Sequence, residues 1–238
     1  FKFEKRKACS ESGVNRYLGM IRAILRKARD EWEMVDKIPK ITLFQEPPGR
    51  TRSLTVQEFA RLHAELPSHL ADMALFAVAT GMRQGNIKNL QWCNVTLDIG
   101  HAWEDAQHHK NGHAQGFPLN EAALSVLRMQ GGKHPQYVFT YNDKPVVQVG
   151  TKAWREALKR AGITDFRWHD LRHTWATWQR EQGTPTYELQ RLGGWRSQSM
   201  VERYAHVGHS HLQTASKRVD NLLEGYITAT PNVQGSHS

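Results

Sequence analysis

The sequence predicts a mainly α chain carrying one small antiparallel β region, and three observations predict it. Apolar residues recur at helical spacing through most of the 238 residues, the period that gathers one face of a helix. Between residues 95 and 119 that period gives way to extended patterning around Asn111-Gly112, the strongest short hairpin signal. Residues 38 to 53 follow neither period; they hold Pro39, Pro47, Pro48 and Gly49 with Arg50 and Arg52, the composition of a linker.

Taken in order, residues 11 to 36 align Val14, Leu18, Ile21, Ile24, Leu25, Ala28 and Trp32, with Arg16, Arg22, Arg26 and Lys27 interleaved. This predicts one long helix with a basic side. With its flanks it is too little for a core, so residues 1–48 are expected to be the end of a domain that starts upstream, followed by a linker. The main domain is expected over 49–227 and a polar, disordered tail over 228–238.

Thr55 and Glu58 form a capping-box signature ahead of Phe59, Leu62 and Leu66. A second helix is expected over 68–80, apolar almost all round and therefore central, with Gly81 at its C′ position. Arg83 then emerges at the end of a buried helix, either as a cap on exposed carbonyls or as a rigidly mounted anion clamp. Short strands are expected at 95–97, 101–107 and 115–119, with Lys110 at the hairpin tip, where a flexible ammonium can reach a site built by helices. His101, His108, His109 and His113 crowd that hairpin without carboxylates or cysteines at metal-ligand spacing, and are read as solvated or phosphate-facing. Helices resume at 120–129 and 150–161, the latter stopped by Gly162.

Thirty-two Lys and Arg against 23 Asp and Glu give a formal net charge of +9, spread along the chain. That favours a polyanionic partner, nucleic acid first, over a merely basic protein. The two cysteines, Cys9 and Cys93, match no metal-ligand spacing, and a reducing cytoplasm is expected. No apolar run approaches the roughly 20 residues that span a bilayer, and no signal-peptide pattern opens the sequence.

Most of the candidate chemistry falls in residues 168 to 206. His169 and Arg172 stand three apart at helical spacing, a turn follows around Gly183 and Pro185, and then come Gly193-Gly194, Trp195 and, two and a half turns on by helical arithmetic, Tyr204. Singly, each is more often a cap or a core residue; the set is what matters. HDLRH imitates the H-E-x-x-H zinc pattern, but Arg172 would lie beside the dication, Asp170 is short for the general base, and no third ligand follows at the expected spacing. Phosphodiester cleavage without metal or cofactor suits the residues better. Tyr204 would attack phosphorus, Arg83 and Arg172 would grip non-bridging oxygens, His169 would assist proton transfer, Lys110 would protonate the leaving oxygen, and Trp195 would donate its indole N–H or pack the site shut.

At this point the chain resembles the tyrosine recombinases, or phage integrases. ATGMRQGNIKNLQW is similar to the family's first arginine box, KNGHAQGFPLN to its lysine hairpin, HDLRHTWAT to its His-x-x-Arg box, and LGGWRSQSMVERYAHV to the box ending in the nucleophile. The order agrees, as do the spacings of 26 positions from His169 to Trp195 and nine from Trp195 to Tyr204. Residues 1 to 40 look like the last helix of the family's core-binding domain.

The resemblance implies an α+β catalytic-domain fold, mainly α with a small antiparallel β-sheet, preceded by the end of a helical core-binding domain. It implies a 3′-phosphotyrosine intermediate and double-stranded DNA attachment sites as partner, with a homo-tetramer on DNA, accessory DNA-bending or directionality proteins, and a cytoplasmic, nucleoid-associated location. Arg50, Arg52 and Arg196 are candidate DNA contacts. The apolar stripe Leu212, Ala215, Val219, Leu222 and Leu223 forms a helix expected to pack either on its own domain or on a neighbouring subunit. Trp195 stands where many members have His, an accepted alternative. Asn86 stands where members often have an acidic residue supporting the arginine, so Asn86→Asp is expected to leave activity equal or higher. The rival readings are a type IB topoisomerase or hairpin resolvase of the same chemistry, a catalytically silent DNA-binding relic, and a zinc hydrolase.

Overall fold

The computed structural model describes residues 1–46, 49–104 and 115–204, and its contacts divide into two units, Phe1–Arg50 and Thr51–Ser238. The first holds α1 (Lys2–Ala8), which the sequence reading did not anticipate, and α2 (Glu11–Asp30), capped by the Ser10 hydroxyl accepting from the Gly13 amide. The helix stops six residues short of its predicted end. The amides of Trp32 and Met34 turn back onto the carbonyls of Lys27 and Ala28, Glu33 takes φ 52°, and Trp32 stands exposed although it falls in phase with Ala28. Asn15 is buried on α2: its amide donates to Phe44 O (2.9 Å) and Glu46 Oε1 (2.8 Å) and its carbonyl accepts from Phe44 N (2.8 Å). Part of the stretch that reads as linker is therefore pinned to α2.

In the second unit, Thr55 and Glu58 close a complete capping box ahead of α3 (Val56–Glu65). The central element is α4 (Ser68–Thr80), which buries Leu70, Met73, Ala74, Phe76 and Ala77 and keeps only the half-buried His69 and Asp72 as polar groups near its start, after the exposed Ser68. Against it lie α3, α6 (Glu121–Gln130) and α8 (Asp170–Glu181). Between α4 and α6 run the short α5 (Gln84–Lys88), a 3₁₀ turn at Trp92–Asn94, and a three-stranded antiparallel sheet of β1 (Val95–Thr96), β2 (His101–Glu104) and β3 (Gln115–Pro118) in sequential order. Ala102 pairs with Phe117 and both are buried, so one sheet face joins the core. A hairpin of β4 (Thr140–Tyr141) and β5 (Lys144–Pro145) turns on Asn142 and Asp143, both at positive φ as a type I′ turn requires. Asn-Asp is a weaker signal than Asn-Gly, and this hairpin was not among the expected elements. Then follow α7 (Lys152–Arg160), α8, α9 (Thr186–Gly193) and α10 (Ser199–Glu202).

One side of α8 receives the start of this unit: Leu54 N donates to Thr174 Oγ1 (3.1 Å) and Trp178 Nε1 donates to Leu54 O (2.9 Å). Thr174 and Leu54 are both buried.

Gly81 ends α4 at φ 66° and lies against Trp175 of α8, where an added Cβ would meet the indole at 2.2 Å. Gly162 has nearly the same backbone (φ 68°) and no neighbour within 4 Å. Gly162→Ala is therefore expected to cost about 1 kcal/mol for the left-handed conformation alone, and Gly81→Ala clearly more, because α4 and α8 must part. Urea denaturation of both variants checks this; equal costs would remove the close packing as a reason for Gly81.

Candidate active site

α8 starts at Asp170, whose carboxylate accepts from the Arg167 amide (2.8 Å) and fixes the turn that sets His169 at the helix entrance. From Asp170 to Thr177 every residue is buried, so a helix with apolar and polar groups on all sides is held by neighbours on all sides. Arg172, 4% exposed, is the most consequential of them. Its Nη1 donates to Gly81 O (2.5 Å) beyond the end of α4, its Nη2 donates to Gly193 O at the end of α9, and its guanidinium lies 4.3 Å over the Trp195 ring. Two separate stretches of chain, one at Gly81 and one from Gly193 to Trp195, thus converge on one cation of α8.

Arg83 occupies the N-cap position of α5, half-buried, and its Nη2 donates to Gly194 O (3.1 Å). It bonds the carbonyl after the one that Arg172 takes, which brings the two guanidiniums to the same glycine pair. Burial and then the nearby Arg83 push Arg172 down to about 10, while Tyr204 and Glu104 act in the opposite direction. The glycines are needed here for clearance: a Cβ on Gly193 would meet the Trp195 ring at 2.0 Å, and one on Gly194 the Gln115 side chain at 1.8 Å.

Trp195 stacks on Trp175 with centroids 5.9 Å apart at 24° and also faces Tyr204. Of its two expected roles, packing is the one this arrangement displays. Tyr204 is 2% exposed and its hydroxyl sits 2.5 Å from His173 Nδ1. Burial raises the phenol to about 12 and lowers His173 to about 4, so the contact joins a neutral phenol to a neutral imidazole. The His169 ring stands edge-on to that of His173, centroids 5.3 Å apart. Its residue surface is largely open, yet partial desolvation, then Arg172, hold its pKa below the ordinary value, with Arg83 and Arg203 acting in the same direction.

Arg83, His169, Arg172, Trp195 and Tyr204 are thus brought together. Lys110 lies outside the described residues, as do His108, His109, His113 and the stripe from Leu212 onward. The path from Trp195 to Tyr204 is not the continuous helix expected: only Ser199–Glu202 is helical, and Tyr204 reaches the cluster because its amide closes a turn on Val201 O (2.9 Å). Arg52 is engaged by Glu58 of the capping box (2.9 Å), Arg50 is half-buried at the end of the first unit, and Arg196 is exposed next to Trp195.

Two side chains were not among the expected site residues. His173 entered only through its resemblance to a zinc ligand; its spacing of one turn from His169 was the available signal. Glu104, buried at the end of β2, accepts from Asn86 Nδ2 (2.7 Å), a contact across 18 residues that no local pattern announces. Among the described residues no three His, Cys, Asp or Glu side chains group as metal ligands, and no helix is long and apolar enough to cross a membrane.

Comparison with known proteins bears on the family of the chain and on its fold. Residues 52–211 match the model of the phage integrase family. The integrase of Salmonella phage P22 is 41% identical over 235 residues, covering 93% of this chain and 59% of that protein. The shufflon-specific DNA recombinase of Escherichia coli is 33% identical over 198 residues, covering 80% of this chain and 50% of its own length. The chain thus spans between half and three fifths of these relatives. Among solved structures, the Tn1549 transposon integrase in complex with a circular intermediate DNA superposes with a TM-score of 0.70 at 15% identity, covering 90% of this chain and 81% of that one. The XerA recombinase superposes with a TM-score of 0.58 at 22% identity over 90% of this chain and 78% of its own. These two likenesses bear on the fold, mostly helical with a small antiparallel sheet. With about two thirds of its length matched by the family model and nearly all of it aligned to the P22 protein, the chain belongs to the phage integrase family.

Proposed function

We propose that this chain is the catalytic part of a site-specific DNA recombinase, an integrase of a prophage or mobile element, cleaving and rejoining double-stranded DNA through a 3′-phosphotyrosine at Tyr204. The observation that carries the reading is the convergence of one phenol, two guanidiniums and two imidazoles around Gly193-Gly194. The P22 integrase and the shufflon recombinase support it by kinship, and the DNA-bound Tn1549 integrase by fold. Residues 1–48 are read as the end of a core-binding domain plus linker and 49–227 as the catalytic domain, with Arg50, Arg52 and Arg196 as DNA contacts. The working form is a tetramer on two DNA sites with accessory DNA-bending or directionality proteins.

In the reaction, Tyr204 Oη bonds to phosphorus and the bond from phosphorus to the 5′ oxygen breaks. Arg172 spends two of its five N–H donors on Gly81 O and Gly193 O and Arg83 one on Gly194 O, leaving planar forks for the non-bridging oxygens. Because Tyr204 is buried and its pKa is raised, it must leave His173 and move towards the phosphate before it attacks. The phenol proton passes to neutral His169, and Lys110 supplies the proton that the departing 5′ oxygen takes up. The phosphotyrosine diester conserves the bond energy, so the reverse sequence rejoins the strand.

The test of this reading is to incubate the protein with a pool of nicked duplexes of randomised sequence and recover DNA that stays attached on a denaturing gel. Tyr204→Phe should give no adduct while binding DNA as before, since phosphate contacts dominate affinity; an adduct from this variant would move the nucleophile elsewhere. Lys110→Ala should be crippled on normal DNA and close to wild type when sulfur replaces the bridging 5′ oxygen, because a thiolate leaves without a proton. Equal impairment on both substrates would return Lys110 to a purely positioning role.

The neutral imidazoles also set a pH dependence. The unfolded chain protonates His173 below about 6.5 but the folded chain only near 4, so the unfolded state binds more protons in that window. Stability present above pH 6.5 should therefore fall as pH drops towards 4, with His169 acting in the same direction. Melting temperatures of wild type and His173→Gln from pH 7.5 to 4.5 check it: the variant should lose part of the slope, and an unchanged slope would place the acid sensitivity elsewhere.

A further inference from the structure

Two guanidiniums that meet at one glycine pair repel each other, and one of them, Arg172, is almost wholly removed from water. A buried cation beside a second cation requires a compensating carboxylate nearby. The first arginine box has no acidic residue near Arg83 to provide it: from Gln84 to Asn94 the sequence reads QGNIKNLQWCN. The carboxylate comes instead from the sheet. Glu104, 8% exposed at the end of β2, is among the groups whose charge favours the protonated form of Arg172. Its Oε2 accepts from Nδ2 of Asn86, three residues after Arg83 on α5.

We propose that Glu104, held by Asn86, is a positioning residue for the arginine pair, supplying from β2 the negative charge that the arginine box lacks. Asn86 suits this role because an amide N–H donates to the carboxylate without adding charge of its own. The same geometry reverses the expectation for Asn86→Asp. An aspartate there would put two carboxylates within hydrogen-bond distance, so that one must take up a proton or both must move apart, and either outcome disturbs Glu104. The pair also ties the sheet to α5, so the end of β2 and the arginine at the N-cap of α5 hold one relative position.

The inference rests on the proposed cleavage reaction, and the experiment separates the two. Wild type, Glu104→Gln, Asn86→Asp and the double swap Asn86→Asp with Glu104→Gln are compared on a duplex recovered by the adduct selection. Single-turnover adduct formation at saturating protein is measured alongside DNA affinity and melting temperature. Each single variant should slow adduct formation by about 10- to 100-fold, the range that follows loss of a partner orienting a metal ligand, carried over to a partner orienting an arginine, with DNA affinity little changed. The swap restores one amide and one carboxylate in contact and should recover most of the rate, which a merely space-filling role would not produce. The proposal is overturned if Glu104→Gln keeps the wild-type rate, or if the swap is no faster than Asn86→Asp. Should wild type itself form no adduct, the cleavage reading fails, and the pair is judged by thermal stabilisation with inorganic phosphate as the probe. Weaker stabilisation in both single variants and recovery in the swap would sustain the proposal; equal stabilisation in all four proteins would overturn it.

Discussion

The buried guanidinium of Arg172 is the constraint on which the second unit depends. It sits within α8, accepts the indole of Trp195 against its face, and ties the carbonyl after α4 to the carbonyl that closes α9. Each of those carbonyls lies at a helix end, where backbone acceptors have no partner within the helix. One side chain therefore satisfies two helix termini and fixes their separation. The cost of keeping a charge out of water is offset by these bonds, by the aromatic face and by the carboxylate that Asn86 holds in place.

From that constraint the order of the chain acquires a physical reason. α4 is apolar over most of its surface because α3, α6 and α8 cover it, and its end must carry glycine because Trp175 leaves no space for a Cβ. The glycine pair after α9 is needed because its two carbonyls face two arginines while Trp195 and Gln115 press on its α-carbons. Stacking of Trp175 on Trp195 and a tilted contact of Trp195 with Tyr204 then close the remaining side. Rigidity at the cluster contrasts with the change that the proposed cleavage demands of Tyr204, whose hydroxyl would exchange an imidazole for a phosphate.

Much of this was legible in the sequence, and the omissions share a cause. The capping box at Thr55, the enclosed helix ending at Gly81, the hairpin strands flanking residue 110 and the His-x-x-Arg turn are all local patterns, and local patterns survive without knowledge of the fold. What could not be read were contacts between distant segments. Asn86 meets Glu104 across a change from helix to strand, and Asn15 meets Phe44 across a stretch whose prolines read as linker. The turn at Asn142-Asp143 lacked the glycine that makes a hairpin conspicuous, and Trp32 kept helical phase after the backbone had left the helix. Helical arithmetic between Trp195 and Tyr204 failed because Tyr204 is placed by a turn and by its partners instead of by a continuous axis.

The clasp between Leu54 and α8 has a mechanical consequence. Through the amide of Leu54 on Thr174 and its carbonyl under the Trp178 indole, the chain that follows Thr51 is fastened directly to the helix bearing His169, Arg172 and His173. Only three residues, Thr51, Arg52 and Ser53, lie between the unit boundary and that fastening, and Arg52 is itself held by Glu58. Tension at the start of this unit is therefore delivered with little slack to α8 through Leu54 and to α3 through Arg52. The first residues of the unit and the helix that carries the buried Arg172 guanidinium thus hold one relative position.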